Sequence, residues 1–474
     1  MSAVRGTVYL PYELSAAMTP ASGVHVRLRG GDFDSSVVTG TTGSFFFRDV
    51  PVRSGYKLTF AASLCLSVPE QTVEVLKNDT ARVDVTLAQN SGNCYGLPFS
   101  GAARVEIDPV GGRTILLYDS AYLSAGRSHP AIVVLNLATG QGSTHEFSDL
   151  EDVCDLALIS ADEVAIYGRS VSAFGVRFFN IATMAASRAD VVFETDMSFL
   201  GGRLALDDTR EWLFATVGRQ TLSFPDPVGK VYAVSLRSGL VVDADNDPAD
   251  GNNAFDDDLV AGALGWAYNI AYDPLAGEIL VGNLSVPFPE GPFLTAISLA
   301  KWGAFDRDSD LVAPTAGVRK VNMDPGEGFT GFAVDYWDFA QGIGVAGRSQ
   351  SAFLMVTYET GGTSYASKLR DNKVHPATRD LDHVLKVVPE RQTWFMLLDD
   401  PSRPDEVRSA IEERELSTLQ RHNRYETQLV VDFFLVPRGF AVDAQAERLY
   451  VAYRNEPVLE VFDLCRGEDC NPAM

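Results

Sequence analysis

The strongest constraint on this chain is a phrase that recurs along it: an apolar strand, a short polar turn often opened by Asp, then a second apolar strand. It reads RVEIDPVGGRTILLY from Arg104, LALISADEVAIYG from Leu156, RLALDDTREWLFATV from Arg203 and NIAYDPLAGEILVGN from Asn269. It returns as GFAVDYWDFAQGIGVAG from Gly331, HVLKVVPERQTWFMLLD from His383 and GFAVDAQAERLYVAY from Gly439. The turn positions Asp108, Ser160, Asp207, Asp273, Asp335, Pro389 and Asp443 are 52, 47, 66, 62, 54 and 54 residues apart. Most copies are followed by a third apolar run, such as AIVVLNLATG from Ala131 or KVYAVSLRSG from Lys230. Repeats of about 40–50 residues with four strands each are the mark of propeller blades, which bury their faces against neighbours and close into a ring. The pattern therefore predicts an all-β chain with a β-propeller of about seven blades over 91–474. The segment EVRSAIEERELSTLQRH from Glu406 reads either as a strand or as a helical excursion.

Residues 1–90 follow a different rhythm. VRGTVYL, VHVRLRG, FDSSVVTG, SFFFRDV, YKLTFAA, TVEVLKN and ARVDVTLA alternate as short strands separated by turn residues, which predicts a small β-sandwich. Charge divides the chain at the same place. Residues 1–90 hold eight Lys/Arg and eight Asp/Glu, so the formal charge of −24 lies on 91–474. A surface this acidic repels phosphate backbones and anionic lipid, which argues against nucleic acid as a partner. No apolar run approaches the roughly 20 residues of a membrane helix; Leu429–Val436 is short and broken by Asp432.

The order Val4-Arg5-Gly6-Thr7-Val8, Gly23-Val24-His25-Val26, Thr41-Thr42-Gly43-Ser44-Phe45-Phe46-Phe47 and Gly55-Tyr56-Lys57-Leu58 resembles the carboxypeptidase regulatory-like (transthyretin-like) domain. That resemblance implies an accessory β-sandwich over 1–90. The propeller phrase, best at Gly439–Tyr453, is similar to the YVTN and NHL propellers and their lactonase-like relatives. Propellers host both enzymes and pure binders, so the fold alone does not decide function. Both module types are at home outside the cell. The expectation is an exported bacterial surface or periplasmic protein whose export signal has been removed, since MSAVRGTVYL lacks the pattern of a signal peptide.

Chemistry is sparse. There is no CxxCH for haem, no GxSxG elbow, and the six His are not paired at metal-ligand spacing. A lactonase-like propeller would gather Glu, Asn and Asp around a central cation, for which Asn269 and Asp324 are candidates. The sharpest local feature is the acidic stretch carrying Asp243, Asp245, Asp247, Asp250 and Asp256. Its D-x-D-x-D opening resembles calcium loops, but Pro248 takes the place of the EF-hand Gly and Ala254 that of the bidentate Glu. It reads either as a structural calcium site or as a solvated acidic turn, set after a third strand. A second stretch, Asp306-Arg307-Asp308-Ser309-Asp310, echoes it. Tyr122, His129, Arg219, Phe224 and Phe288, in loops after second strands, with Trp266, Tyr268 and Phe329 in inter-blade loops, form a candidate recognition face for a protein or glycan. Of the five cysteines, Cys465 and Cys470 suit a tail disulfide, Cys65 and Cys94 a second one, and Cys154 a buried thiol. The leading reading is a non-catalytic binder; the alternative is a cation-dependent lactonase-like hydrolase.

Overall fold

The computed structural model describes residues 2–9, 20–21, 24–40, 42–61, 66–67, 70–89, 94–120, 127–195, 199–207, 209–219, 229–242, 255, 264, 266–274, 276–285, 293–299, 318–322, 338–346, 353–360, 363–368, 373–376, 381–399, 409–426, 437–453 and 457–464. These residues are strands and turns, with helical geometry limited to short pieces such as the 3-10 turn Pro389–Arg391.

The first ten strands are β1 (Ala3–Tyr9), β2 (His25–Gly30), β3 (Phe33–Val38), β4 (Ser44–Phe47), β5 (Arg53–Ala61), β6 (Leu66–Ser67), β7 (Gln71–Val75), β8 (Thr80–Arg82), β9 (Val85–Thr86) and β10 (Ala88–Gln89). β1 pairs antiparallel with β4 and parallel with β8 and β9; β2 lies between β3 and β5, with β6, β7 and β10 extending that second sheet. Alternation decides which side chains go inward. In β4 Phe45 and Phe47 are buried while Ser44 and Phe46 are exposed, and in β7 Val73 and Val75 are buried. These residues share an apolar core with Val4, Val8, Val26, Leu28, Tyr56 and Leu58, each contributing about 1.5–3 kcal/mol on burial. Gly6 has a specific reason to be glycine: a Cβ there would lie 1.7 Å from the Val83 carbonyl oxygen, where β1 passes from β8 to β9. The same apolar cluster continues to Val388, Phe395, Phe440 and Val451 in the last two sheets described below.

The rest of the chain is built on four-stranded antiparallel sheets. β11 (Cys94–Gly96) belongs with the final strands. Next come β12 (Arg104–Asp108), β13 (Arg113–Tyr118), β14 (Ala131–Asn136) and β15 (Gly142–Glu146). A second sheet holds β16 (Leu150–Leu158), β17 (Glu163–Ser170), β18 (Phe174–Asn180) and β19 (Ala185–Ala186), with β20 (Val191–Glu194) also on β18. The third holds β21 (Phe199–Leu206), β22 (Trp212–Arg219), β23 (Gly229–Ser235) and β24 (Leu240–Val242). Then follow β25 (Trp266–Asp273), β26 (Glu278–Ser285), β27 (Phe293–Ser298) and β28 (Val318–Asn322), and after them β29 (Asp338–Ala346), β30 (Phe353–Thr360), β31 (Thr363–Lys368) and β32 (Lys373–Pro376). These last two sets are joined where β26 meets β29 at Leu284↔Phe339 and Ser285↔Asp338. β33 (Leu381–Val388), β34 (Thr393–Asp399), β35 (Ser409–Glu415) and β36 (Arg421–Glu426) form one sheet, and β37 (Pro437–Asp443), β38 (Arg448–Tyr453), β39 (Val458–Asp463) and β11 the last.

The first strands of successive sheets pack in cyclic order: β12, β16, β21, β25, β29, β33, β37 and back to β12. Sheet faces meet in layers. Leu116 and Tyr118 pack with Ala441, Tyr450 and Leu459 on one side of β13, while Ile115 and Leu117 pack with Leu156, Val164 and Ile166 on the other. A middle strand buried on both faces must be apolar throughout, and RTILLY and AIVVLN are that sequence made structural. This ring of antiparallel sheets has the architecture of a β-propeller. It is closed by β11, which pairs with β39 at Cys94↔Glu460 and Gly96↔Val458, so two distant parts of the chain complete one sheet.

The recurrent Asp of the turns is a local device. The Asp108 carboxylate accepts from the Gly111 N–H at 2.9 Å, Asp207 from Trp212 at 2.9 Å and Asp443 from Ala446 at 2.8 Å. Each buried carboxylate takes up N–H groups of an otherwise exposed turn.

Of the two readings of the segment from Glu406, the strand holds over its described residues, in β35 and β36. One expectation is corrected. The run 338–346, read as a second strand, is the first described strand of its sheet; Gly331–Asp335 lies outside the described residues. Cys94 is disulfide-bonded and Cys154 is a free, half-buried thiol, while Cys65, Cys465 and Cys470 lie outside the described residues.

Candidate functional site

Polar groups on the innermost strands form the first candidate site. RVEID places Arg104 and Glu106 between apolar Val105 and Ile107, so β12 carries charge on one face. Arg104 Nε donates to Asp155 Oδ1 on β16 at 2.7 Å, and Asp155 Oδ2 accepts the Leu204 N–H of β21 at 2.8 Å. One carboxylate thus ties three successive innermost strands. Arg203 of β21 donates to the Cys154 carbonyl at 2.7 Å. Lys386 of β33 reaches past β37 to β12, donating to the Val105 carbonyl at 3.1 Å and to Glu106 Oε1 at 2.9 Å. Gly439 on β37 permits the close packing there: a Cβ would stand 3.1 Å from both the Ala102 carbonyl oxygen and a Val105 methyl. Asp152 accepts from the Ser120 N–H and hydroxyl at 3.0 and 2.8 Å. The described carboxylates Glu106, Asp152 and Asp155 are therefore each committed to a cation or a donor, which leaves them poorly placed to converge on one metal ion. Among the described residues no group of three or more His, Cys, Asp or Glu side chains is arranged to hold a metal.

Burial holds the Cys154 thiol well above the ordinary cysteine range, reinforced by Asp152 and Asp155. A thiol kept protonated in this way is a poor nucleophile.

Glu460 is the other perturbed group. It is buried on β39 beside the ring closure and accepts a hydrogen bond from the Tyr453 hydroxyl. Burial raises its carboxyl to about 6, against the partly opposing Tyr453 hydrogen bond. The protonated form therefore stabilises the fold below the ordinary glutamate range, and this contribution is lost as pH rises through about 6. Glu460→Gln, which keeps an acceptor for Tyr453, should be about 2 kcal/mol more stable than wild type at pH 7.5 and no more stable at pH 4. Denaturant melts at the two pH values check this; an equal effect at both would show that ionisation is not the cause.

The structure places the sequence-derived candidates unevenly. Tyr122, Phe224, Phe288 and Phe329, the acidic residues Asp243, Asp245, Asp247, Asp250 and Asp256, and Asp324 lie outside the described residues, as do Cys465 and Cys470. His129 is half-buried, and its carbonyl accepts from Arg127 at 3.0 Å. Arg219 ends β22 opposite Phe199, and Trp266 and Tyr268 belong to β25; these three are strand residues, correcting their assignment to loops. Asn269 is likewise a buried strand residue and not part of an inter-blade loop.

The acidic stretch is also repositioned. It follows the fourth strand, β24, and not a third. β23 pairs with β24 at Ala233↔Val242 and with Phe255 at Val231↔Phe255. The regular register would set residue 244 opposite Val231, where Phe255 stands instead.

Sequence reasoning missed Arg104, Asp155 and Lys386. The signal was present in RVEID, where charge alternates with buried apolar residues on a first strand.

No family model matches the chain, and no curated protein matches it. Among solved structures it is similar to the WD40 domain of Pan2 from Neurospora crassa, at 9% identity over 79% of this chain and 96% of that one, with a TM-score of 0.45. The propeller is read from the chain's own sheets.

Proposed function

We propose that this chain is a non-catalytic binding protein: a seven-bladed propeller over 91–474 carried behind a transthyretin-like sandwich over 1–90, exported to a bacterial surface or periplasm, with a protein or glycan as partner. The observation that supports the non-catalytic part most is the pairing of Glu106 with Lys386 and of Asp155 with Arg104 on the innermost strands. A hydrolase of the lactonase-like kind needs inward carboxylates held for a cation, and these are held for ammonium and guanidinium instead. Among the described residues no helix is long and apolar enough to cross a membrane. The acidic surface continues to argue against nucleic acid.

Calcium enters this proposal as a structural ion in the stretch Asp243–Asp256. Lacking a bidentate Glu, the loop should bind in the 10⁻⁴–10⁻³ M range, about that of extracellular modules. One experiment addresses both parts. Lactone hydrolysis and thermal melting are measured with millimolar calcium and with chelator. The expected result is no hydrolysis in either condition, a melting temperature raised slightly by calcium, and loss of that response in Asp245→Ala/Asp247→Ala. Chelator-sensitive turnover that disappears in Asp155→Asn would transfer the chain to the hydrolase reading. A melt indifferent to calcium would return the loop to solvated surface.

A further inference from the structure

β15, the outermost strand of the first propeller sheet, ends that sheet on a regular open edge. Its five residues pair with β14 without a register shift, from Leu135↔Gly142 to Ala131↔Glu146, and it stands last in the order β12-β13-β14-β15. Hydrogen bonds at its two ends fix which backbone groups face outward. The Asn136 N–H donates to the Gln141 carbonyl at 2.8 Å, and the Phe147 N–H to the Pro130 carbonyl at 2.8 Å. Antiparallel pairing alternates between these two points, so Ser143 and His145 bond to β14. The N–H and C=O groups of Gly142, Thr144 and Glu146 point the other way, and among the described residues no strand pairs with them.

Natural sheets blunt such edges with short strands, bulges, Lys or Pro. The other described outer strands of the ring do so. β11 and β24 have three residues each, β19 has two, and β20 carries a register shift against β18. β28 bears Arg319 and Lys320, β32 bears Lys373 and Pro376, and β36 has a register shift of its own. β15 reads GSTHE, with no Lys, Arg, Pro or bulge, and its first three residues are exposed.

Gly142 is a second, independent sign. Its backbone is not left-handed, and a Cβ there would meet nothing closer than the Val134 carbonyl oxygen at 3.6 Å. The chain's own packing therefore does not require glycine at this position. A glycine in a strand weakens it and suits a place where another backbone comes close. The strand is also held in place from within. The His145 ring lies 4.9 Å from those of Phe147 and Phe179, on the face towards the second sheet. Thr144 and Glu146 share the opposite face, where Glu146 offers a negative charge to a neighbouring strand.

We propose that β15 takes up an extended segment of a protein partner as a fifth strand, with main-chain hydrogen bonds to Gly142, Thr144 and Glu146 and a Lys or Arg of the segment beside Glu146. A row of outward N–H and C=O groups is complementary to another strand, which selects a polypeptide over a glycan. A second copy of this chain is the poorer occupant. Two chains of charge −24 repel, and five residue pairs bury far less than the roughly 1,200 Å² of a standard interface. The inference rests on the binding reading and narrows its partner.

The probe is the peptide acetyl-Val-Lys-Val-Thr-Val-Lys-Val-amide, beside its backbone N-methylated form, which cannot donate to the edge. Amide hydrogen exchange and chemical-shift mapping on the full chain give the readout. In the free chain the Ser143 and His145 amides should be protected, while those of Gly142, Thr144 and Glu146 exchange rapidly. Saturating peptide should slow these three by about tenfold or more. The N-methylated peptide should bind about tenfold more weakly or worse, as the loss of one or two hydrogen bonds requires. Thr144→Pro removes an outward N–H and leaves the bonds to β14 intact, so it should weaken binding about tenfold with an unaltered melt. If that variant also melts early, the N-methylated peptide decides by itself. Glu146→Gln should weaken binding a few fold. No binding at millimolar peptide, equal binding of the N-methylated form, or protection that falls elsewhere would overturn the proposal. A dimer of the free chain that Thr144→Pro dissolves would give the edge to a second copy and overturn the partner. None of these outcomes involves lactone hydrolysis or calcium, so failure here and failure of the non-catalytic reading remain distinguishable.

Discussion

A chain that begins at residue 91 is expected to fold and melt cooperatively, whereas one that begins at residue 98 is expected to lose about 5 kcal/mol or to aggregate. The difference between them is β11. Its three residues pair with β39, and Leu97, 1% exposed, donates its N–H to the Pro457 carbonyl at 2.7 Å. Three or four backbone hydrogen bonds at about 1 kcal/mol each, with the burial of one leucine side chain at about 2 kcal/mol, give the magnitude. Removing β11 also leaves β39 as an unpaired edge in a ring that otherwise closes, which invites association with other chains. Thermal melts with light scattering compare the two chains. If both melt together without aggregation, the ring does not depend on its closing strand. If the chain from residue 91 also fails, the first ten strands are needed for stability, as the continuity of their core with Phe395 and Val451 would allow.

Glu413→Ala should be the most damaging single substitution in the sixth sheet, costing about 3–5 kcal/mol. The carboxylate is fully buried and accepts from Arg391 at 3.2 Å, from the Asn423 amide at 3.1 Å and from the Tyr425 hydroxyl at 2.8 Å. Its removal leaves a buried guanidinium, an amide and a hydroxyl without their acceptor. Arg391→Met/Glu413→Leu should recover only the part of the loss that comes from the stranded guanidinium, because the Asn423 amide and the Tyr425 hydroxyl still lose the carboxylate. Denaturant unfolding of the two single variants and the double variant closes the cycle. A cost below about 1 kcal/mol for Glu413→Ala would mean that water replaces the carboxylate.

These residues also show why part of the structure was legible in the sequence and part was not. RTILLY, EVAIYG and RLYVAY are apolar along their length because sheets cover both faces, so the repeat could be counted before any coordinates. The same reasoning failed on SAIEERE, where Glu412 and Glu413 are adjacent, charged and buried. A strand can bury them because Arg414 and Arg391 meet them at 2.7 and 3.2 Å, and partners fixed by tertiary structure leave no periodic trace. β11 was missed for a different reason. Three residues, Cys94-Tyr95-Gly96, make no pattern, and their partner lies at the far end of the chain. For the candidate site, the acidic stretch announced itself by composition, whereas the pairing of both Val242 and Phe255 with β23 left no sequence signal. A cavity beside Glu390 and Ser417 had no sequence signal, since it depends on how two turns meet.

The pairing of Cys94 with Glu460 sets a timetable for biosynthesis. The partners are 366 residues apart in sequence, 460 minus 94. At about 5–20 residues per second, some 20–75 seconds separate the emergence of the first from that of the second. Throughout that interval the first sheet and the newest one each have a neighbour on one side only, and the strand that will finish the ring waits unpaired. A nascent chain of this design therefore spends about a minute as an open arc with apolar faces at both ends. Its yield in a cell should respond to translation speed and to the supply of holding chaperones more than to the stability of the finished ring.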